Sequence, residues 1–157
     1  MTAFGLLLWM TAVFFFLLFL TKEQRRQVEE CEGVLLLLRH IRTQVSAYSL
    51  PRHEIYRTFS HASLEKCGFL PLLREEGLGR ALKADRLAMS EEMLRPLVLF
   101  AEGEGGRLRE EELIAVSLAV EGVEACLADA KSRLPERLRL SRTLVLTGGM
   151  MIAIFLL

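Results

Sequence analysis

The 20 basic and 20 acidic residues of this 157-residue chain all lie between Lys22 and Arg142. Residues 1–21 and 143–157 carry no charged side chain. This distribution is typical of a charged body that is tethered to a bilayer at both ends, and it restricts fold and function more than any motif does. We therefore divide the chain into a transmembrane helix at 1–21, a helical domain at 22–142 and a membrane segment at 143–157.

Residues 1–20 are almost wholly apolar, with Thr2 and Thr11 as the polar interruptions. A helix of about 20 such residues crosses a hydrocarbon core of about 30 Å, and its backbone groups satisfy one another in lipid. A cleaved signal peptide is the alternative, and it requires a basic region before the apolar run. Here the basic residues follow the run, so we predict a retained transmembrane helix.

The second apolar segment, 143–157, is shorter than a usual membrane span. As a helix its 15 residues extend about 22 Å. Either the helix begins earlier, with Arg139 and Arg142 reaching the headgroups, or it dips into the membrane without crossing.

Basic residues flank both apolar segments on the side of the body. The flanking set is Lys22, Arg25, Arg26, Arg137, Arg139 and Arg142. The positive-inside rule predicts a cell-membrane protein whose body is cytoplasmic, and these residues also face anionic lipid.

The composition of the body favours an all-α helical bundle. It has few prolines and is rich in Leu, Ala, Glu and Arg. The formal net charge is zero, so the chain lacks the one-signed basic field of a nucleic-acid-binding protein. The three cysteines (Cys31, Cys67 and Cys126) are far apart, and we interpret them as reduced thiols at helical core positions.

Two long helices are predicted at the ends of the body. The first continues from the membrane to about Ser46, with the buried stripe Val28, Cys31, Leu35, Leu38, Ile41 and Val45 and the opposite face Gln27, Glu30 and Arg39. The last begins near Leu113, with the seam Val116, Val120, Val123, Leu127, Ala130, Leu134 and Leu138. We expect the two helices to lie antiparallel, and we expect a kink at Pro135.

Shorter helices are predicted between them. Pro51 is placed in the first turn of a helix that extends towards His61 and buries Ile55 and Phe59. Breaks are expected at Gly68, Pro71, Gly77 and Gly79. Ser90 is the predicted N-cap of a helix with Glu91 and Glu92 in its first turn and with Leu97 and Phe100 among its apolar residues.

The sequence shows no catalytic or metal-binding pattern. The histidines at 40, 53 and 61 share no ligand spacing, and the glycines at 103–106 lack the lysine of a phosphate loop. We therefore predict a protein that is not an enzyme and has no cofactor. The stretch Arg107, Arg109, Glu110, Glu111 and Glu112 is interpreted either as a solvated helix start or as a docking patch for a partner.

The whole pattern resembles the stage III sporulation protein AB family of endospore-forming bacteria. The resemblance covers nearly the full chain: an N-terminal span, a basic exit into a long helix, a Leu-Pro pair, a late long helix and a short apolar end. Phe100 and Gly105 match the family's most specific stretch, whereas Glu104, Leu108 and Glu112 replace its leucine, aspartate and glutamine.

The resemblance implies a fold similar to one cytoplasmic domain of the type II secretion inner-membrane platform. It implies a platform component of the channel between mother cell and forespore, in the outer forespore membrane. The expected partners are a cytoplasmic secretion-type ATPase, stage III sporulation protein AA, and small membrane subunits of the same operon; a homo-oligomer is an open alternative. A standalone membrane-tethered adaptor or signal relay is the competing hypothesis.

Overall fold

The computed structural model describes residues 2–48, 50–103 and 106–155, and it describes no side chain for residues 2–7, 10, 137, 141, 142, 144 and 149–155. The described part of the chain contains seven helices and no strand. They are α1 (Thr2–Tyr48), α2 (Arg52–Thr58), α3 (Ala62–Lys66), α4 (Phe69–Glu76), α5 (Leu78–Lys83), α6 (Glu91–Glu102) and α7 (Arg109–Phe155). The predicted all-α class is confirmed.

The chain divides into two compact units. One, the body, is Arg26–Asp129; the other, the terminal unit, is formed by Met1–Arg25 and Ala130–Leu157. The core lies in the body and joins residues from all seven helices. The body is therefore the part of the chain in which a folded site is to be sought.

In the body, α1 buries the apolar stripe that its sequence predicts. Cys31, Leu38 and Ile41 have no exposed surface, and Leu35 and Val45 are buried as well. Each fully buried Leu or Ile contributes about 1.5–3 kcal/mol by leaving water. Helix α1 is unbroken from Thr2 to Tyr48, so the helix predicted at the start of the body is continuous with the apolar segment before it.

Glu30 is a correction to the sequence prediction, which placed it on the exposed face of α1. Its side chain is 1% exposed. The Arg26 Nε donates to Glu30 Oε1 at 2.7 Å, and the Ala88 backbone N–H donates to Oε2 at 2.5 Å. The segment between α5 and α6 packs on α1 at this point, which the helical period of α1 alone does not reveal.

The short helices α2–α5 differ in detail from their prediction. Pro51 is the N-cap of α2 rather than part of its first turn, and the helix ends at Thr58, although Phe59 is buried as expected. Gly68 and Gly77 separate helices with φ of 79° and 82°, values that favour glycine. Pro71 lies within α4 instead of breaking the chain, because a helix tolerates proline in its first turn.

The antiparallel arrangement of α1 and α7 within the body is confirmed. Arg39 of α1 pairs with Glu124 of α7 at 2.5 Å, while Arg109 at the start of α7 donates to the Val45 carbonyl near the end of α1. Ser90 is the N-cap of α6, as predicted. The Val116, Val120, Val123 and Leu127 seam of α7 is buried.

The terminal unit consists of the outer parts of α1 and α7. The aromatic side chains Phe14, Phe15, Phe16 and Phe19 are all more than half exposed. Helix α7 continues through Pro135, and the kink expected there stays a prediction. No helix, over the residues that the structure describes, is long and apolar enough to cross a membrane. The membrane segments at 1–21 and 143–157 stay predictions.

Candidate functional site

Arg109 joins the beginning of α7 to the end of α1. Its Nε donates to the Val45 carbonyl at 3.2 Å, and its Nη2 donates to the Ser46 carbonyl. The last carbonyls of a helix lack partners within the helix and carry a partial negative charge. The guanidinium of Arg109 therefore caps α1, in addition to connecting the two long helices.

A second connection is the ion pair between Arg52 of α2 and Glu112 of α7. The Arg52 side chain is 18% exposed and that of Glu112 is 9% exposed. The Arg52 guanidinium also lies 5.1 Å from the centroid of the Phe100 ring in α6. The half-buried Arg52 thus links its own helix, α2, to both α6 and α7.

Arg107 extends the same cluster. Its Nη1 donates to the Phe100 carbonyl at 3.0 Å, and its guanidinium lies 5.8 Å from the Phe100 ring centroid. A Cβ atom at Gly103 would lie 2.1 Å from this guanidinium, so glycine leaves the space that Arg107 occupies. We call Arg52, Phe100, Arg107, Arg109 and Glu112 the clasp, because together they connect α1, α2, α6 and α7.

The clasp changes the interpretation of the predicted docking patch. Arg107, Arg109 and Glu112 contact other parts of the body, and the Oε2 of Glu111 accepts from the Leu108 backbone N–H at 3.1 Å, as in a capping box. Among the described residues, Glu110 has no side-chain partner and is exposed. Four of the five predicted residues therefore have a structural role, whatever docks nearby.

The predicted membrane-flanking residues lie partly in each unit. Lys22, Arg25 and Arg139 are exposed, whereas Arg26 contacts the buried Glu30. The side chains of Arg137 and Arg142 lie outside the described residues.

A groove that the sequence pattern did not predict lies between α6 and α7. Its volume is about 410 Å³, and it is lined by Glu92, Arg95, Pro96, Leu99, Phe100, Arg107, Ala115, Leu118, Ala119 and Gly122. At one end the helices pack closely, since a Cβ at Gly122 would lie 2.9 Å from the Pro96 ring. Leu99 and Leu118 on its walls are 58% and 63% exposed. Large apolar residues that lie outside the predicted buried stripes, here Leu99 and Leu118, are the sequence signal that could have predicted the groove.

Two side chains of types that take part in catalysis, His61 and Cys67, lie elsewhere in the body. Both have contacts that stabilise the fold. His61 Nδ1 lies 2.8 Å from Ser63 Oγ, but that hydroxyl also contacts the Glu29 carbonyl at 3.3 Å, and the imidazole packs over Gly33. Burial raises the pKa of the Cys67 thiol, which keeps it in the less reactive protonated form. No group of three or more potential metal ligands is present within the described residues.

Comparison of the chain with protein-family models, with curated proteins and with solved structures gives no match. The resemblance to stage III sporulation protein AB is therefore a prediction from the sequence pattern. The class that the fold defines is a helical body built between two long helices, with an apolar groove on one side.

Proposed function

We propose that this chain is a non-catalytic membrane platform component of a sporulation channel between mother cell and forespore. In this role it couples a cytoplasmic secretion-type ATPase to the membrane assembly. The body lies in the mother-cell cytoplasm, and the charge-free ends of α1 and α7 hold it to the outer forespore membrane. The resemblance of the sequence to the sporulation family is the basis for naming the system, and the geometry of the two long helices supports the mechanism.

The observation that carries the proposal is the arrangement of α1 and α7. Each is 47 residues long and continues beyond the body into a charge-free segment. Because the two helices are antiparallel within the body, the chain enters and leaves the body at the same end. A body with both tethers at one end suits attachment to a single surface, as a platform requires.

Polar groups near the charge-free segments are compatible with lipid. Thr21 Oγ1 donates to the Leu17 carbonyl at 2.8 Å, and Thr147 Oγ1 donates to the Thr143 carbonyl at 2.5 Å. Hydroxyls that bond to their own helix do not need water, so they lower the cost of placing threonine in a membrane.

The clasp supports a mechanical role. It connects α1 and α7 where α1 ends and α7 begins, away from the end of the body that continues into the terminal segments. Helices that are connected at one end and anchored at the other respond together to a force on the body, instead of sliding past one another. Movement of an ATPase would thereby reach both tethers.

Co-purification of the full chain with the secretion-type ATPase tests the proposal. The two proteins are co-expressed, extracted in mild detergent and isolated by a tag on the ATPase; we expect a stable complex. The matched control is an unrelated membrane protein of similar size, co-expressed with the same tagged ATPase. A folded chain that never accompanies the ATPase contradicts the proposal and favours the alternative, a membrane-tethered adaptor that accompanies a kinase or regulator.

A further inference from the structure

The groove between α6 and α7 exposes an apolar surface that no other part of the described body covers. Leu99 and Leu118 are 58% and 63% exposed, and the floor is formed by Phe100, Ala115 and Ala119. Keeping such a surface in water is unfavourable, and contiguous apolar patches with polar rims are typical of protein interfaces.

The charges beside the groove indicate which surface fits it. Glu92 and Arg95 both line it from α6, and both side chains are exposed. Arg107, the third charged residue of the lining, is held by its hydrogen bond to the Phe100 carbonyl. Among the described residues, neither Glu92 nor Arg95 forms an ion pair. Three residues apart on one helix face, they are separated by about 4.5 Å along the helix axis.

One acid and one base at this spacing are complementary to the same pair in reversed order. When two copies of α6 lie antiparallel about a two-fold axis, Glu92 of each copy faces Arg95 of the other. Such a contact uses the same surface twice, which is the usual form of a homodimer interface. A surface of one sign would instead favour a partner of opposite charge, and the chain's zero net charge brings no long-range repulsion between copies.

We propose that a second copy of this chain docks on the α6–α7 groove, with the two α6 helices antiparallel and with reciprocal Glu92–Arg95 ion pairs. The apolar walls, Leu99 and Leu118, are then removed from water by the other copy. This interface does not depend on the identity of the secretion system, nor on whether an ATPase binds the clasp region.

Charge reversal in the full chain tests the interface. The chain is studied in density-matched mild detergent by sedimentation equilibrium, as wild type, Glu92→Arg and Arg95→Glu. Each substitution replaces two attractions with two repulsions, so we expect the dimer dissociation constant to rise about tenfold or more. Circular dichroism checks that the helical content of each variant is unchanged.

Mixing the two variants gives the sharper measurement. An equimolar mixture of Glu92→Arg and Arg95→Glu chains restores both ion pairs, because one copy then has two basic residues and the other has two acidic ones. We expect heterodimers of nearly wild-type affinity, detected by energy transfer between differently labelled chains. The double variant E92R/R95E is expected to form homodimers for the same reason.

Glu75→Arg and Lys83→Glu are the matched controls, since both side chains are exposed on other helices and line no part of the groove. They are expected to leave the dissociation constant unchanged. A wild-type chain that stays monomeric at micromolar concentration overturns the proposal. So does a dimer that persists unchanged in both single variants, which places self-association on another surface, and so does a mixture that fails to associate.

Discussion

Arg52 and Glu112 illustrate how a single buried pair organises the region around it. The two residues come from different helices, are 60 positions apart and are both largely removed from water. Burying two charges is costly, and the gain depends on each having its partner. The pair is therefore better regarded as a device that selects one packing of α2 against α7 than as a large source of stability.

Removing the charge of Glu112 leaves the arginine without its counter-ion in a partly dry site. We expect Glu112→Gln to lower the free energy of unfolding by about 2–4 kcal/mol, below the full range for buried pairs because Arg52 keeps some exposure. Urea unfolding of the full chain, followed by circular dichroism, measures this. Glu110→Gln is the control, because Glu110 is exposed and lies just before Glu112 in the same helix. This substitution is expected to change the free energy of unfolding by less than about 0.5 kcal/mol. Equal effects from the two substitutions would contradict the role given to the ion pair.

Gly33 is the residue that lets α3 approach α1. A Cβ there would lie 2.7 Å from His61 Nδ1 and 2.9 Å from Leu64 Cγ. We expect Gly33→Ala to destabilise the body by about 1–3 kcal/mol, because the added methyl displaces packed side chains. Gly79→Ala is the matched control: its Cβ meets open space within α5, so alanine is expected to stabilise by up to about 1 kcal/mol. Thermal unfolding measures both effects: the melting temperature is expected to fall in Gly33→Ala and to rise in Gly79→Ala.

At the scale of elements, one carboxylate of α1 binds the segment between α5 and α6, beside the buried Leu87 and Met89 of that segment. The Glu30 carboxylate accepts hydrogen bonds from both the Arg26 guanidinium and the Ala88 N–H. Sequence periodicity predicted the apolar stripe of α1 correctly but placed Glu30 on the solvent side. An acidic residue is normally exposed, and the backbone N–H that donates to Glu30 is 58 positions away in an irregular segment. No local pattern connects the two.

Loss of this carboxylate should loosen the segment more than the fold. We expect Glu30→Ala to accelerate amide hydrogen exchange at Ala88 and to lower the free energy of unfolding by about 1–3 kcal/mol, because the Ala88 N–H loses its acceptor. Exchange followed by mass spectrometry measures the first effect. Glu29→Ala, whose side chain is exposed, is the control; its carbonyl still accepts from Ser63. Unchanged protection at Ala88 in Glu30→Ala would show that other contacts hold the segment.

At the scale of the whole molecule, the two charge-free segments and the clasp have different roles in the proposed function. In the proposed role, the segments attach the body to the membrane, and the clasp keeps α1 and α7 together where α1 ends and α7 begins. A body held by two tethers transmits torque or tilt that a single anchor would dissipate. The proposed mechanism therefore requires both tethers, whereas we expect binding of the ATPase to require only a folded body.

Deletion of residues 143–157 separates these two requirements. We expect the truncated chain to bind the ATPase as the full chain does but to lose activity in the cell, measured as sporulation efficiency. Alkaline carbonate should extract the truncated chain from membranes only as readily as it extracts a protein with one transmembrane helix. An active truncated chain would rule out the two-tether mechanism, and loss of ATPase binding would show that the segment is needed for the fold.

The amino-acid sequence by itself determined the helical class, the two long helices, the buried faces of α1 and α7 and the N-cap at Ser90. These are local properties, since the spacing of apolar side chains along a helix decides which face leaves water. Only the tertiary structure decided the burial of Glu30, the clasp around Arg52 and Phe100, and the groove beside Leu99 and Leu118. Each of these depends on which distant segments meet, and that choice is made by the packing of the complete body.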